Sequence, residues 1–361
     1  MNQGPPILSV KDLKVGRGGV SVLDVPSLDV FEGEFLSLIG GNGAGKSTLL
    51  LSLTGLIEAS GGEIRFRGNA VSSSRDMLNL RRKITMVFQE PLLFDTSVFD
   101  NVASGLKLHG FPGKNIRPVV EEYLALFGIA HLSGRSARKL SGGESQRTSL
   151  ARAFALQPEM IFLDEPFASL DPPTKESLIE DLSSVMRTKG ITAVMATHDR
   201  MDALRLSDRI AVMDKGAVIQ IGDASSVMNR PENEVVASFV GVETTIEGTV
   251  RDSNGGLLDI SINGAVIRAV GDFETGRRVM CFIRPEQVTI ESTPSRTSAR
   301  NVFVGRIERI TPMGFFHRLS IDCGFMLSAH VTHQALQDLQ LSEGAEVAVS
   351  FKATSVHVIK R

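Results

Sequence analysis

The chain has 361 residues, enough for two or three domains, and its 42% hydrophobic content with 34 glycines fits a folded globular protein and excludes disorder as the main state. Thirty-nine Lys and Arg against 41 Asp and Glu leave a net charge of −2, which supplies no general basic field for nucleic acid. Two distant cysteines, Cys281 and Cys323, match no ligand spacing, exclude a disulfide framework and suit a reduced compartment. No run of about 18 apolar residues is present to span a bilayer. The start, Met1 to Pro6, has neither the basic nor the apolar region of a secretory signal. The expectation is a cytosolic protein able to dock on a membrane partner.

In chain order, Glu34–Ile39 is an apolar run ending at glycine, which reads as a buried strand. Residues 95–138 read as a small helical insert, with apolar residues at helical spacing from Val119 to Phe127 and interruptions at Gly110, Pro112, Gly113 and Gly128. Met160–Leu163 and Ile191–Met195 repeat the buried-strand pattern and lead into Asp164-Glu165 and Thr197-His198-Asp199. Strands alternating with helices predict a mostly parallel sheet covered on both faces, with ligands beyond the carboxyl ends of its strands. After about residue 243 short alternating runs take over, at Leu257–Ile262, Val279–Ile283, Arg318–Ile321 and Val347–Phe351, and predict an all-β region. It carries a weak internal repeat: Gly276 through Ile290 aligns with Gly344 through Val358, and Gly248-Thr249-Val250 echoes Gly305-Arg306-Ile307. The expected division is 1–240, with the helical insert at about 90–140, then 241–361 in two halves, 244–291 and 298–361, joined by the Ser/Thr/Pro-rich Glu291–Ser298.

Gly40-Gly41-Asn42-Gly43-Ala44-Gly45-Lys46-Ser47 fits G-x-x-x-x-G-K-[ST], follows a strand pattern and opens a helical stretch at Thr48. Glycines let backbone N–H groups converge on phosphate oxygens, and the helix amino terminus adds partial positive charge. Lys46 is expected to reach the β- and γ-phosphates and Ser47 to bind Mg²⁺. Asp164 is the candidate for holding Mg²⁺ through water, and Glu165 the candidate base for the attacking water. Adjacent acids at a strand end are more often a solvated turn, and only the phosphate loop tips that balance. Leu140-Ser141-Gly142-Gly143-Glu144 is a second anion-type helix entry, with Ser141 as cap and two glycines baring N–H groups. Two phosphate-type sites in one chain suggest two chains sharing nucleotide.

With these motifs assembled, residues 7 to about 240 resemble the ATP-binding subunit of ABC transporters. The resemblance rests on the phosphate loop, on Gln89 in Phe88-Gln89-Glu90-Pro91, on Leu140–Glu144, and on Asp164-Glu165. It extends to Ser169-Leu170-Asp171 and Thr197-His198-Asp199, in matching order. It implies an α/β P-loop NTPase fold, a RecA-like core plus a helical subdomain, followed by an all-β OB-like (TOBE) region. It also implies a homodimer closing head-to-tail over two ATP molecules. Ser141, Gly142, Gly143 and Glu144 of one subunit would then complete a site made by Gly40, Asn42, Gly43, Ala44, Gly45, Lys46, Ser47, Thr48, Gln89, Asp164, Glu165 and His198 of the other. By the same resemblance His198 contacts the γ-phosphate, and Gln89 acts as a sensor between the Mg²⁺ site and the insert, which faces a transmembrane permease subunit. An aromatic residue to stack on adenine is missing before the phosphate loop. Val15-Gly16-Arg17-Gly18-Gly19 stands there, so Arg17 either covers the base or is a solvated charge.

Phe282-Ile283-Arg284-Pro285-Glu286 resembles the entry to the small β domain of importers for oxyanions, sugars, iron and polyamines. Ser298-Ala299-Arg300-Asn301 and Phe351 to Ile359 resemble a molbindin-like, molybdate-binding domain. Ser298, Arg300, Lys352, Thr354 and Ser355 offer the donors and cations that a tetrahedral dianion requires. The alternative is a barrel that only packs against its twin. The resemblance implies a peripheral ATPase at the cytoplasmic membrane face, working with permease subunits and indirectly with an extracytoplasmic binding protein to import tungstate or molybdate. Sulfate, ferric iron, polyamine and sugar are the alternative cargoes, and an oxyanion sensor or store is the alternative class. A chromosome-associated ATPase would need a long coiled coil between Lys46 and Ser141, which the glycine and proline breaks preclude. His330-Val331-Thr332-His333 reads as a surface turn, Arg81-Arg82-Lys83 as a solvated face, and the 12 methionines as core filler.

Overall fold

A computed structural model describes residues 4–292 and 298–361; most of the predicted link Glu291–Ser298 lies outside the described residues. The chain forms two units, Met1–Val227 and Met228–Arg361.

The amino-terminal unit opens with two long strands that no motif had flagged, β1 (Leu8–Arg17) and β2 (Val20–Val30), joined by a turn through Gly18 and Gly19. Their side chains alternate between buried and exposed, as a half-covered antiparallel pair should. With β4 (Gly61–Phe66) and β5 (Asn69–Ala70) they make a four-stranded sheet in the order β2-β1-β4-β5.

The second sheet combines β3 (Phe35–Ile39), β6 (Ile84–Val87), β7 (Met160–Asp164), β8 (Thr192–Thr197), β9 (Arg209–Asp214) and β10 (Ala217–Asp223), in the order β10-β9-β3-β8-β7-β6. Only β10 runs antiparallel to its neighbour. The apolar runs read as strands are buried throughout because both faces are covered. Leu36, Leu38, Phe162 and Val194 face a core shared with β1 and β2. Phe35, Ile161, Leu163 and Met195 face a second core on the other side.

That second core takes in the insert, which contains α3 (Val98–Leu108) and α4 (Gly113–Leu126) and packs on α5 (Gly142–Phe154). The remaining helices are α1 (Lys46–Leu53), α2 (Ser74–Arg81), α6 (Pro172–Lys189) and α7 (Arg200–Leu206), with α8 (Ala224–Asn229) spanning the division of the chain. Arg81, Arg82 and Lys83 are exposed as expected, and the Arg81 guanidinium in addition donates to the carbonyls of Thr54 and Gly55, the open carboxyl end of α1.

The carboxy-terminal unit begins with α9 (Glu234–Phe239) and is otherwise almost entirely strand. One sheet runs β13-β12-β11-β14-β20, from β11 (Thr244–Asn254), β12 (Leu257–Ile262), β13 (Ala265–Val270), β14 (Arg278–Ile283) and β20 (Val356–Lys360). The other runs β15-β19-β16-β17-β18, from β15 (Thr289–Glu291), β16 (Asn301–Pro312), β17 (Phe316–Asp322), β18 (Met326–Thr332) and β19 (Glu346–Phe351). The repeat has structural equivalents. β14 and the 3-10 turn Pro285–Gln287 correspond to β19 and the turn Ala353–Ser355. β11 and β16 carry matching bulges, at Val250/Asp252 and Ile307/Arg309. After each turn the chain crosses over, so β15 pairs with β19 of the second half and β20 with β14 of the first. Side chains of both sheets form a single core.

His330 and His333 form no surface turn. His330 lies on β18, half-buried with its ring 4.3 Å from that of Phe316, and His333 opens α10 (His333–Asp338). Among the described residues no group of three or more His, Cys, Asp or Glu is placed to hold a metal ion, and both cysteines are free.

Candidate active site at the strand ends

The phosphate loop leaves the carboxyl end of β3 and enters α1 through Gly45, whose φ of 100° lies in the left-handed region that only glycine adopts freely. Gly40 is constrained differently: a Cβ there would sit 2.3 Å from the Met213 carbonyl oxygen. α1 has no side-chain cap and no acid in its first turn, so its first N–H groups keep their capacity for an anionic ligand.

Lys46 is folded back into this loop. Its Nζ donates to the carbonyls of Gly40 at 2.8 Å and Gly41 at 3.1 Å and lies 4.0 Å from Glu165 Oε1. Burial pulls its pKa below the ordinary lysine value, against the opposing pull of Glu165 and Asp164. Ser47 Oγ donates to Asp164 Oδ1 at 2.8 Å. Asp164 closes β7, and burial holds its carboxyl above the ordinary range despite that hydrogen bond and Lys46. This oxygen pair suits Mg²⁺, which commonly takes one or two carboxylates plus substrate phosphates and water.

Glu165 follows with φ 46°, strained for a non-glycine residue, and its N–H donates to the Ala196 carbonyl at 2.9 Å. That backbone turn aims the side chain across the strand ends, where Oε2 lies 2.9 Å from His198 Nδ1. His198 sits just beyond β8, and its side chain is 56% exposed. Residues 42–48, Gln89, Glu165 and His198 line one cavity of about 590 Å³.

Two lining residues, Val22 and Ala168, belong to no motif of the sequence. Val22 comes from β2, whose alternation was the only available signal. Arg17, at the exposed end of β1, is not among the lining residues.

Ser141–Glu144 also stay away from this cavity within the chain. Ser141 Oγ accepts from the Glu144 N–H at 3.2 Å, and Glu144 Oε2 accepts from the Ser141 N–H at 2.7 Å. That second bond holds the Glu144 carboxyl below its ordinary range. A Cβ on Gly142 would meet nothing within 4 Å, whereas one on Gly143 would strike Thr174 at 2.5 Å.

In the carboxy-terminal unit the five candidate anion donors do not share one pocket. Thr354 and Ser355 line a cavity of about 590 Å³ with Arg284 and His357, while Ser298, Arg300 and Lys352 are not among its lining residues. Asn301, in the same motif, turns out to be structural. It is buried, accepting from the Arg268 N–H at 2.7 Å and donating to the Arg268 carbonyl at 2.8 Å, and so continues the edge of β13 as a strand would.

Residues 23–168 match the family model described as ABC transporter, and residues 297–358 match the TOBE domain. The molybdate/tungstate import ATP-binding protein WtpC of Pyrococcus horikoshii is 39% identical over 92% of this chain and 94% of its own. The chain belongs to the ABC transporter family. The ABC ATPase is also 34% identical to the spermidine/putrescine import ATP-binding protein PotA of Roseobacter denitrificans, over 83% of this chain and 85% of that one. Among solved structures, cbiO1 of Clostridium perfringens, part of the ABC transporter complex cbiONQ, superposes with a TM-score of 0.59. It shares 32% identity and covers 66% of this chain and 96% of its own. The ABC ATPase therefore has the expected P-loop α/β core with a helical subdomain followed by an all-β TOBE region, and it is an ATP-using enzyme coupled to transport, of the importer type. No helix among the described residues is long and apolar enough to cross a membrane.

Proposed function

We propose that this ABC ATPase drives import of tungstate or molybdate by hydrolysing Mg²⁺-ATP in a head-to-tail homodimer docked on permease subunits at the cytoplasmic membrane face. An extracytoplasmic binding protein would deliver the oxyanion. The observation that carries the ATPase reading is the convergence of Lys46, Ser47, Glu165 and His198 on one cavity, with Asp164 bonded to Ser47 behind it. The cargo reading is supported by relatives of that stated specificity whose similarity extends through both units.

In this reading Gly40–Thr48 wrap the phosphates with backbone N–H groups. Lys46 exchanges its carbonyl partners for phosphate oxygens, and Ser47 and Asp164, with Gln89, would hold Mg²⁺, which would screen the charge on the phosphates. Glu165 takes a proton from the attacking water, and His198, bonded to the same carboxylate, steadies that water and the γ-phosphate. Ser141, Gly142 and Gly143 of the second subunit close over the nucleotide, their N–H groups aimed at the γ-phosphate. ATP does mechanical work because it binds the closed dimer better than the open one, a preference that hydrolysis removes. Thr354 and Ser355, which line a cavity with Arg284 and His357, are the candidates for oxyanion binding that slows further import; Ser298, Arg300 and Lys352 lie outside that cavity.

Polyamine import is the second reading, favoured by relatives of that specificity at 30% identity over 98% of the chain. Transport assays with the assembled importer separate the two. Tungstate or molybdate uptake with no spermidine uptake is expected, and the reverse pattern overturns the oxyanion reading while leaving the ATPase intact.

A further inference from the structure

We infer that Lys175 is a positioning residue for ATP hydrolysis: it holds the turn that carries His198 in register with the Ser169–Asp171 segment, through Asp199 and Asp202. The inference rests on the proposed role of His198 and extends it to a side chain that is not among the lining residues of the phosphate-loop cavity.

The geometry is a continuous chain of contacts. Asp171 caps α6, accepting from the Thr174 N–H at 3.3 Å, and the Lys175 N–H donates to the Asp171 carbonyl at 2.9 Å. From that first turn of α6, Lys175 Nζ reaches Asp199 Oδ2 at 2.6 Å and Asp202 Oδ1 at 2.8 Å. Asp199 is the residue after His198, and both of its carboxylate oxygens are committed. Oδ2 takes Lys175, while Oδ1 accepts from the Met201 N–H at 2.8 Å and caps α7. Its own N–H donates to Thr197 Oγ1 at 3.0 Å.

The turn is therefore tied to β8, to α7 and to α6, leaving little freedom at His198. Of these three ties only the last is an ion pair between elements far apart in sequence. The Asp202 side chain is 5% exposed, so without Lys175 a buried carboxylate loses its ion-pair partner and keeps the repulsion of Asp199, with only the weaker pull of Arg205 to offset it. Arg205 and Glu176 form a second, exposed bridge between the same two helices, so α6 and α7 stay associated when Lys175 is changed. What the loss frees is the turn, and a small misplacement of a group at the reacting centre costs rate far more than binding.

The test is steady-state ATPase kinetics on the full chain, with melting temperature recorded for each variant. His198→Ala comes first: wild-type turnover there overturns the role of His198 and this inference with it. With His198→Ala impaired, Lys175→Met is expected to lower kcat by about tenfold at nearly unchanged KM for ATP. Lys175→Arg, which keeps the cation, should restore most of the loss. In the His198→Ala background Lys175→Met should have no further effect, since both changes act through one group. A merely structural lysine would lower the rate in both backgrounds alike. Wild-type kcat in Lys175→Met, or a loss that multiplies with His198→Ala, overturns the inference and leaves the role of His198 standing. Should Lys175→Met fail to fold, Lys175→Gln with Asp202→Asn leaves no unpaired buried charge at that position and runs through the same comparison.

Discussion

The two units put their polar groups to opposite uses. Among the described residues, the buried charged groups Glu34, Lys46, Asp164 and Asp202 all lie in the amino-terminal unit; the carboxy-terminal unit buries only the neutral Thr244, Asn301 and Ser350 among its polar residues. The first unit also holds Glu165 at a positive φ beside its cavity. In the second unit the exchanged strands β15 and β20 tie two sheets around an apolar core. Of the buried charges Lys46 and Asp164 sit at the phosphate-loop cavity, where a ligand would meet desolvated charge, whereas Glu34 and Asp202 are neutralised by Arg209 and Lys175. The carboxy-terminal unit rests on one continuous apolar core without a buried charge among its described residues.

The largest effect that sharpens this contrast is Glu165→Gln. If Glu165 is the base, kcat falls by about 10²–10⁴-fold while nucleotide binding persists, read by hydrolysis and by retention of ATP in a stable dimer. Wild-type turnover would remove the proposed base.

Next is removal of Val356–Arg361. Because β20 completes the sheet of the other half, deleting this last strand should abolish the calorimetric transition of the whole carboxy-terminal unit and not merely fray its end. An unchanged transition breaks the claim that the halves depend on each other.

Asn301→Ala strands the backbone N–H and carbonyl of Arg268 and should destabilise the full chain by about 1–3 kcal/mol in denaturant unfolding, with ATP affinity unaltered. A coupled loss of nucleotide binding contradicts the separation of roles.

The smallest effect is on Asp164. Burial raises its folded pKa, so the folded state binds that proton more tightly than the unfolded chain does. Its contribution to stability is full below the ordinary carboxylate range and declines as pH rises through the raised value. Asp164→Asn, measured without Mg²⁺ or nucleotide, should therefore raise Tm modestly at neutral pH. The gain should shrink on acidification and be accompanied by loss of hydrolysis. A lower Tm at neutral pH refutes the argument from burial.

Short-range information was enough for much of this. The phosphate loop, the paired acids at the end of β7, the helix entry at Ser141 and the alternation beyond residue 243 are local patterns, set by backbone conformation, capping and side-chain period, and they are legible in sequence. The offset between Gly276 and Gly344 likewise exposed the repeat, since equivalent bulges and turns need equivalent residues. Tertiary structure alone decided which distant groups meet. Lys175 with Asp199 and Asp202, Val22 at the phosphate-loop cavity, Asn301 against the edge of β13, Arg81 on the carboxyl end of α1 and the exchange of β15 and β20 all depend on chain crossings. Residue spacing does not encode such crossings, because a hydrogen bond or ion pair is specified by position in space and the intervening chain leaves no periodic trace of it.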